Sequence, residues 1–299
     1  MEFNMEKQSL EGKWLGQETN YPTSYNPNFL VAIPRTLNRE HLGIQEAELP
    51  FVGFDVWHAY EFGCITEKGL PVNALLKLVY PANSPNLVES KSLKLYLNSF
   101  NMHRLGKTVK EALEAAQELI VSDLTKCLGV KPELHLFTEN NASTLAFDLA
   151  HYPRIDFEPF LEDMEFVHFA ENPDLLKIDK HQESVLHFQS SLLRSNCKIT
   201  AQPDWGTIYI RMEGKQLPGL KAMAAYLVSF RDEKHFHEEI VEAIYSRLWK
   251  GFSPSSLLVC AVYTRRGGID ITPVRASHSF LYPLSLKNPE KLTEKLFRQ

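Results

Sequence analysis

A five-residue segment occurs twice in this chain, and its repetition constrains the fold more than any other feature. Tyr-Leu-Asn-Ser-Phe at residues 96–100 returns as Tyr-Leu-Val-Ser-Phe at residues 226–230. Each copy is followed by a segment with apolar residues at helical spacing, Val109–Leu128 in the first and Glu239–Trp249 in the second. The sequence therefore predicts that one structural unit is used twice.

Strand-like segments accompany both copies in the same order. The runs Val52–Phe62 and Val185–Leu193 precede them, and Leu134–Thr138 and Leu257–Thr264 follow the two predicted helices. This order predicts a strand–strand–helix–strand module that occurs twice.

The segments between these elements indicate where the modules begin and end. Residues 1–50 are rich in Asn, Pro and Tyr, and we expect an irregular lead-in arm there. The segment Tyr152–Asp179 is acidic, contains proline and has weak periodicity, so we take it as the joint. The predicted modules are residues 1–155 and 156–299.

The two copies differ in the residues that can carry chemistry. When their tyrosines are aligned, Glu89 of the first copy stands opposite Gly219 of the second. Cys197 is followed at short distance by Asp204, whereas Cys64 is followed by no comparable acid. Each copy thus lacks what the other has, which predicts one site assembled across both modules.

The segment from Cys197 to Asp204 has the composition of a reactive centre. Ile199 and the run Thr207–Met212 favour strands on either side, with Cys197 at a strand end and Asp204 in or just after the connecting loop. A thiol and a carboxyl held together can serve as nucleophile and proton donor. The alternative is an ordinary buried cysteine beside an ordinary Asp-Trp-Gly turn.

Charge and cysteine usage exclude several classes of protein. The net charge of −5 gives no broad basic face, so we expect no direct nucleic-acid partner. The four cysteines lie far apart with no CxxC pair, which favours reduced thiols over a disulfide frame or a zinc site. No apolar run is long enough for a membrane span, and the N-terminus is polar. We therefore expect a cytoplasmic protein without a membrane partner.

Four segments are distinctive in their sequence and in their order along the chain: Glu89–Tyr96, Ser195–Gly206, Phe236–Glu238 and Tyr263–Gly268. Together they resemble the QueF family, the NADPH-dependent nitrile reductases that act on 7-cyano-7-deazaguanine. The resemblance extends from about Leu15 to Pro273 and fits the long, two-module form of the family.

The resemblance implies an α+β fold of two tandem tunnelling-fold (T-fold) modules, in which antiparallel sheets are backed by helices. It also implies a homodimer that acts in queuosine biosynthesis on a small-molecule substrate.

Site roles follow from the same resemblance. Cys197 would add to the nitrile and form a covalent thioimide, with Asp204 and His237 transferring protons. NADPH is the implied cofactor, and no metal is implied. The chain contains no GxGxxG sequence, so we expect no Rossmann site. The implied substrate-binding residues are Val88, Glu89, Ser90, Phe236, His237 and Glu238, and the implied cofactor-binding residues are Ser90, Lys91, Arg266 and Gly267.

Several of these side chains have an ordinary structural alternative. Glu89 could be a solvated strand residue, His237 a helix-start histidine bonded to the backbone, and Phe236 a core aromatic.

Two other functions also stay open. One is a zinc-dependent T-fold enzyme such as a GTP cyclohydrolase, which would need a cluster of metal ligands. The other is a base-binding protein without catalysis, in which Cys197 is merely buried.

Overall fold

The computed structural model describes residues 24–156, 158–180 and 184–298. The first half contains the predicted strand–strand–helix–strand order, together with a helix at Ser90–Asn98 and shorter elements that the sequence pattern did not predict. Its elements are β1 (Ala32–Pro34), α1 (Thr36–His41), β2 (Val52–Ile65), β3 (Pro71–Pro81), β4 (Asn86–Val88), α2 (Ser90–Asn98), α3 (Val109–Leu128), β5 (Glu133–Phe137) and β6 (Thr144–Leu145).

The second half repeats this order and adds strands and a tail. Its elements are α4 (Glu158–Leu161), β7 (Ile178–Lys180), β8 (Ser184–Ser190), β9 (Arg194–Cys197), β10 (Pro203–Gly214), β11 (Leu217–Pro218), α5 (Leu220–Val228), β12 (Lys234–His235), α6 (His237–Phe252), β13 (Ser256–Tyr263), β14 (Ile269–Ala276), α7 (Leu284–Lys287) and β15 (Leu292–Thr293). The protein is thus of mixed α+β class.

One nine-stranded sheet runs through both halves. Its order is β12-β9-β10-β13-β14-β2-β3-β5, with β8 also paired to β10, and β12–β9 is its parallel pair. The halves meet where β14 pairs antiparallel with β2, from Ile269 opposite Ala59 to Ala276 opposite Val52. This continuous junction brings the first turns of α2 and α6, one from each half, to the same cavity.

The two faces of the sheet are buried differently. Alternation along β10 places Ile208 and Ile210 against α5 and α6, whereas Tyr209 packs on the opposite face. That second face is covered by residues 147–152 and by the C-terminal tail. The buried Lys77 fastens the tail, because its Nζ donates to the carbonyl oxygens of Asn288 at 2.8 Å and Lys291 at 2.7 Å.

The arm and the joint contain more regular structure than the sequence analysis predicted. Residues 1–23 of the predicted arm lie outside the described residues, but β1 and α1 follow before residue 50, so the irregular assignment is wrong there. The joint ends in β7, and β7 pairs with β11 as β1 pairs with β4. Elements of three to six residues are too short to show a period, which is why the sequence pattern missed them.

The clearest sequence prediction is confirmed by the structure. α3 has the predicted bounds, and Gly129 follows it with φ of 73°, the left-handed conformation that favours glycine. Ala112, Ala116, Ile120 and Leu124 are buried as expected, whereas Val109 is 40% exposed because it stands in the first turn.

Candidate active site

A cavity of about 280 Å³ lies at the junction of the two halves, with a narrow extension beneath it. The structure brings every residue that the sequence analysis assigned to the site into these two spaces. The cavity is lined by Glu89, Ser90, Lys91, Cys197, His237, Arg266 and Gly267, and the extension by Val88, Ser90, Cys197, Asp204, Phe236, His237, Glu238 and Arg266. Residues of both halves therefore face one another across a shared space.

Cys197 is the last residue of β9 and is buried, with 7% of its surface exposed. A tight loop follows, in which the Cys197 N–H donates to the Gln202 carbonyl and the Ala201 N–H donates to the Cys197 carbonyl. Ala201 has φ of 54°, an uncommon value for a residue with a side chain. Ile199, predicted to lie in a strand, lies in this loop instead, because the chain must turn back within five residues to enter β10.

The loop changes the acidity of the thiol. Burial raises the pKa of Cys197, but hydrogen bonds to the thiolate from the Thr200 hydroxyl, from the Thr200 and Ile199 N–H groups and from Arg266 bring it below the ordinary value. Burial instead raises the pKa of the other three cysteines, to about 11 for Cys127. Of the four thiols, Cys197 is the one whose surroundings favour the thiolate.

Asp204 stands at the start of β10 and is buried opposite Ser195. Its Oδ1 lies 3.0 Å from Nη1 of Arg266, and its Oδ2 lies 3.4 Å from Nε2 of His237. Neither of these nitrogens makes a well-aligned hydrogen bond within the described part of the chain. Arg266 therefore contacts both the acid and the thiol, a role that the sequence analysis did not assign to it.

His237 begins α6 and faces the cavity. Its ring lies on the ring of Tyr263, with centroids 3.9 Å apart and planes 27° apart. Because its Nε2 points at Asp204, the ring is not held by a backbone hydrogen bond through that atom. Phe236, which precedes it, is half-buried at the edge of the cavity rather than part of an apolar core cluster.

Glu238 is 3% exposed, and its Oε1 accepts no hydrogen bond from the described residues. Its pKa is raised to about 8, because burial and then the nearby Asp55 raise it by more than Arg35 and Arg275 lower it. The arginines belong to a buried ion-pair cluster at the junction, in which Arg275 lies 2.7 Å from Asp55 and 2.9 Å from Glu242. Glu238 is therefore largely protonated near neutral pH in the free protein.

Glu89 occupies the N-cap of α2, so the alternative of a solvated strand residue is wrong. Its side chain is buried and accepts hydrogen bonds from the N–H groups of Lys91 at 3.0 Å and Ser92 at 2.6 Å. A carboxylate has about four lone-pair sites, so two such bonds leave capacity for a ligand.

Positive charge gathers at the mouth of the cavity. Lys91 and Lys94 project from one face of α2, and Gly267 lies in the turn between β13 and β14 with φ of 59°. A Cβ on Gly267 would meet the Lys94 Nζ at 3.1 Å, so glycine allows close approach there. Lys94 was not among the predicted site residues, although its helical spacing from Lys91 places both side chains on one face of α2.

The described residues show neither a cluster of metal ligands nor a membrane-spanning helix. The described residues contain no group of three or more His, Cys, Asp or Glu side chains that could hold a metal ion. Among the helices of the same ranges, none is long and apolar enough to cross a membrane.

Two family descriptions and several curated relatives match this chain. Residues 21–136 match the family described as "Nitrile reductase, 7-cyano-7-deazaguanine-reductase N-term", and residues 203–280 match the family described as "QueF-like protein". The chain is similar to the NADPH-dependent 7-cyano-7-deazaguanine reductases of Acinetobacter baumannii strain SDF (39% identical over 279 residues) and strain AYE (40% over 276). In each case 90% of this chain and 94% of the relative are covered.

A solved structure, the archaeosine synthase QueF-Like in the apo form, matches 33% of this chain and 95% of its own at 14% identity. Its TM-score of 0.28 is too low to support any statement on the fold. The identity and coverage of the curated relatives are decisive, and the chain belongs to the family of NADPH-dependent 7-cyano-7-deazaguanine reductases.

Proposed function

We propose that this protein uses NADPH to reduce the nitrile of 7-cyano-7-deazaguanine to an aminomethyl group, through a covalent thioimide on Cys197, in queuosine biosynthesis. The observation that carries the mechanism is the lowered pKa of the Cys197 thiol within a cavity shared with Asp204 and His237. The function itself is that of the curated relatives.

Addition of the thiolate divides a difficult reduction into easier steps. The Cys197 thiol passes its proton to Asp204 or His237, and its Sγ forms a bond to the nitrile carbon. The carbon–nitrogen triple bond becomes a double bond, and the nitrogen takes up that proton. When bound, NADPH supplies the two hydrides that turn the thioimide into the amine, and the C–S bond breaks between them. Residues of both halves enclose the imine intermediate and keep water away from it.

The cavity fits both ligands by its chemistry. A guanine-like edge presents N–H donors, and Glu89 and Glu238 offer carboxyl oxygens from opposite halves. Val88 and Ser90 lie beside these carboxyl groups, and Phe236 can stack on the ring of the base. The cations Lys91 and Arg266, with Lys94 beside them, suit the phosphates of NADPH, and Gly267 permits a close backbone approach.

The repeated order of elements supports two tandem T-fold modules, residues 1–155 and 156–299. We assign the protein to the cytoplasm as a homodimer without direct nucleic-acid contacts.

The experiment that tests the function is NADPH oxidation on adding 7-cyano-7-deazaguanine. Two NADPH oxidised per nitrile, with formation of the amine, are expected; no nitrile-dependent oxidation by folded protein would refute the proposal.

Replacement of Glu89 should weaken nitrile binding strongly. Glu89→Ala leaves N–H donors of the base without an acceptor, which costs about 1–3 kcal/mol of binding free energy. The same change removes the N-cap of α2, which costs about 0.5–2 kcal/mol of folding stability. Isothermal titration with the nitrile and a thermal melt measure the two effects separately.

Glu89→Asn is the matched control, because asparagine also caps helices but is not an acceptor-only fork. It should melt close to wild type and still bind the nitrile weakly. Wild-type affinity in both variants would mean that the second half alone recognises the base.

Nitrile affinity should also rise with pH. If Glu238 binds the base as a carboxylate, binding must release the proton that Glu238 holds below pH 8. The affinity should then increase about tenfold per pH unit from pH 6 toward pH 8 and become constant above it. Titration calorimetry in buffers of different ionisation enthalpy would show the released proton directly.

Glu238→Gln tests the source of that proton, since glutamine fills the same space and does not titrate. Its affinity should be weaker and constant over the same pH range. A wild-type affinity that does not change between pH 6 and pH 8 would show that the neutral acid binds the base.

A further inference from the structure

His235 lies beside the nucleophile, although nothing in the sequence singled it out. In the parallel pair of β12 and β9 it stands opposite Cys197. Its Nδ1 lies 3.2 Å from Oε2 of Glu239, and its Nε2 lies 3.2 Å from Oε2 of Glu233. Both ring nitrogens of this histidine therefore face carboxylates.

Such an arrangement is satisfied only by the protonated ring. A neutral imidazole has one N–H and one lone pair, so one of the two carboxylates would face a lone pair. Burial lowers the pKa of His235, but Glu239 and then Glu233 outweigh it and bring the pKa above its ordinary value of 6.5. The stability that the pair of bonds contributes is thus complete below pH 6.5 and is lost as pH rises through the folded pKa.

Glu239 and Glu233 also hold the chain on both sides of Cys197, Glu239 through its carboxylate and Glu233 through its backbone carbonyl. Oε1 of Glu239 lies 3.4 Å from Nζ of Lys198, the first residue of the loop that surrounds the thiol, and Oε2 accepts the N–H of Phe236. The carbonyl of Glu233 accepts the N–H of Asn196 at 2.7 Å, and its Oε1 accepts the N–H of Glu171. His235 connects these two sets of contacts.

We propose that His235 is a positioning residue: its imidazolium fastens the loop after Cys197 to the start of α6, and loss of its proton loosens that loop. The thiolate then loses part of the hydrogen bonding from Ile199 and Thr200 on which its formation depends. The proposal rests on the proposed function only in taking Cys197 as the nucleophile.

The test measures alkylation of Cys197 by iodoacetamide across pH 5.5–9.5 in the full chain, with peptide mapping to distinguish it from the other cysteines. In wild type, the rate constant for alkylation should first rise with pH as the thiol ionises. As His235 then loses its proton, the rate constant should fall to about one fifth of the value expected for a thiol with a single ionisation. An NMR titration of His235 should show the same midpoint, above pH 6.5.

Two substitutions separate positioning from simple packing. His235→Asn should show the lower rate at every pH and no second transition. His235→Arg, whose charge does not titrate and whose fork reaches two carboxylates, should keep the higher rate up to high pH.

A wild-type rate that follows a single ionisation, or a His235 midpoint at or below pH 6.5, would refute the proposal even if the variants fail to fold. Equal profiles in folded wild type and His235→Asn would also refute it. Because no nitrile is used, absence of nitrile reduction would count against the proposed function and leave this result intact.

Discussion

Cys197→Ala should abolish nitrile reduction, while the protein still folds and binds NADPH. No other thiol in the chain has surroundings that favour ionisation, because burial raises the pKa of Cys64, Cys127 and Cys260. Without a thiolate in the cavity, hydride would have to attack the nitrile directly and leave negative charge on nitrogen. We expect no turnover above background in an assay of NADPH oxidation.

The covalent step can be observed without the reduction. Wild-type protein mixed with the nitrile alone should gain the mass of one nitrile, and peptide mapping should locate it on Cys197. Cys127→Ala is the matched control: it removes a buried thiol in the first half, so it should keep both the adduct and the turnover. An adduct on another cysteine, or an active Cys197→Ala variant, would contradict the assignment.

The repeat predicted that residues of both copies share one cavity, whereas most of the individual site residues came from the family resemblance. The strand pattern of Thr207–Met212 predicted Asp204 just after the loop, and Cys197 does stand at a strand end, although that strand ends before Ile199. The pairing of β14 with β2 then brings the two incomplete copies together. Short-range patterns suffice for the positions of Cys197 and Asp204, because these depend on neighbours in the sequence, whereas the pairing of β14 with β2 does not.

Other features depend on contacts between distant residues and leave no local pattern. Glu89 was predicted to bind the base, and its position as the N-cap could not be predicted without knowing that α2 begins at Ser90. Arg266 was assigned to the cofactor, but its contacts with Asp204 and Cys197 arise only when the turn after β13 folds over β9. The pKa of Glu238 is raised by burial and also by Asp55, which belongs to the other half of the chain.

Asp204→Asn should reduce kcat by about 10²–10⁴-fold with little change in the KM for the nitrile. Asparagine keeps the shape of the side chain but has no proton to transfer in this pH range. The loss therefore falls on the steps in which nitrogen gains protons, and binding of the base through Glu89 and Glu238 is left intact.

The same substitution makes a second, opposite prediction for the thiol. Arg266 lies 3.0 Å from Asp204 and also hydrogen-bonds Cys197. Once the carboxylate is gone, the guanidinium charge acts on the thiolate alone, so alkylation of Cys197 should be at least as fast as in wild type. A merely structural role for Asp204 predicts the reverse, because a distorted loop would lower both turnover and thiol reactivity.

Asp156→Asn is the matched control, since Asp156 pairs with Arg154 away from the cavity and should leave kcat unchanged. If Asp204→Asn turns over normally, His237 delivers the protons and Asp204 only orients it. If Asp204 is a proton-transferring acid, the Asp204→Asn variant should show slow turnover together with fast alkylation. That combination means that the thiolate still forms and that the later proton transfers fail.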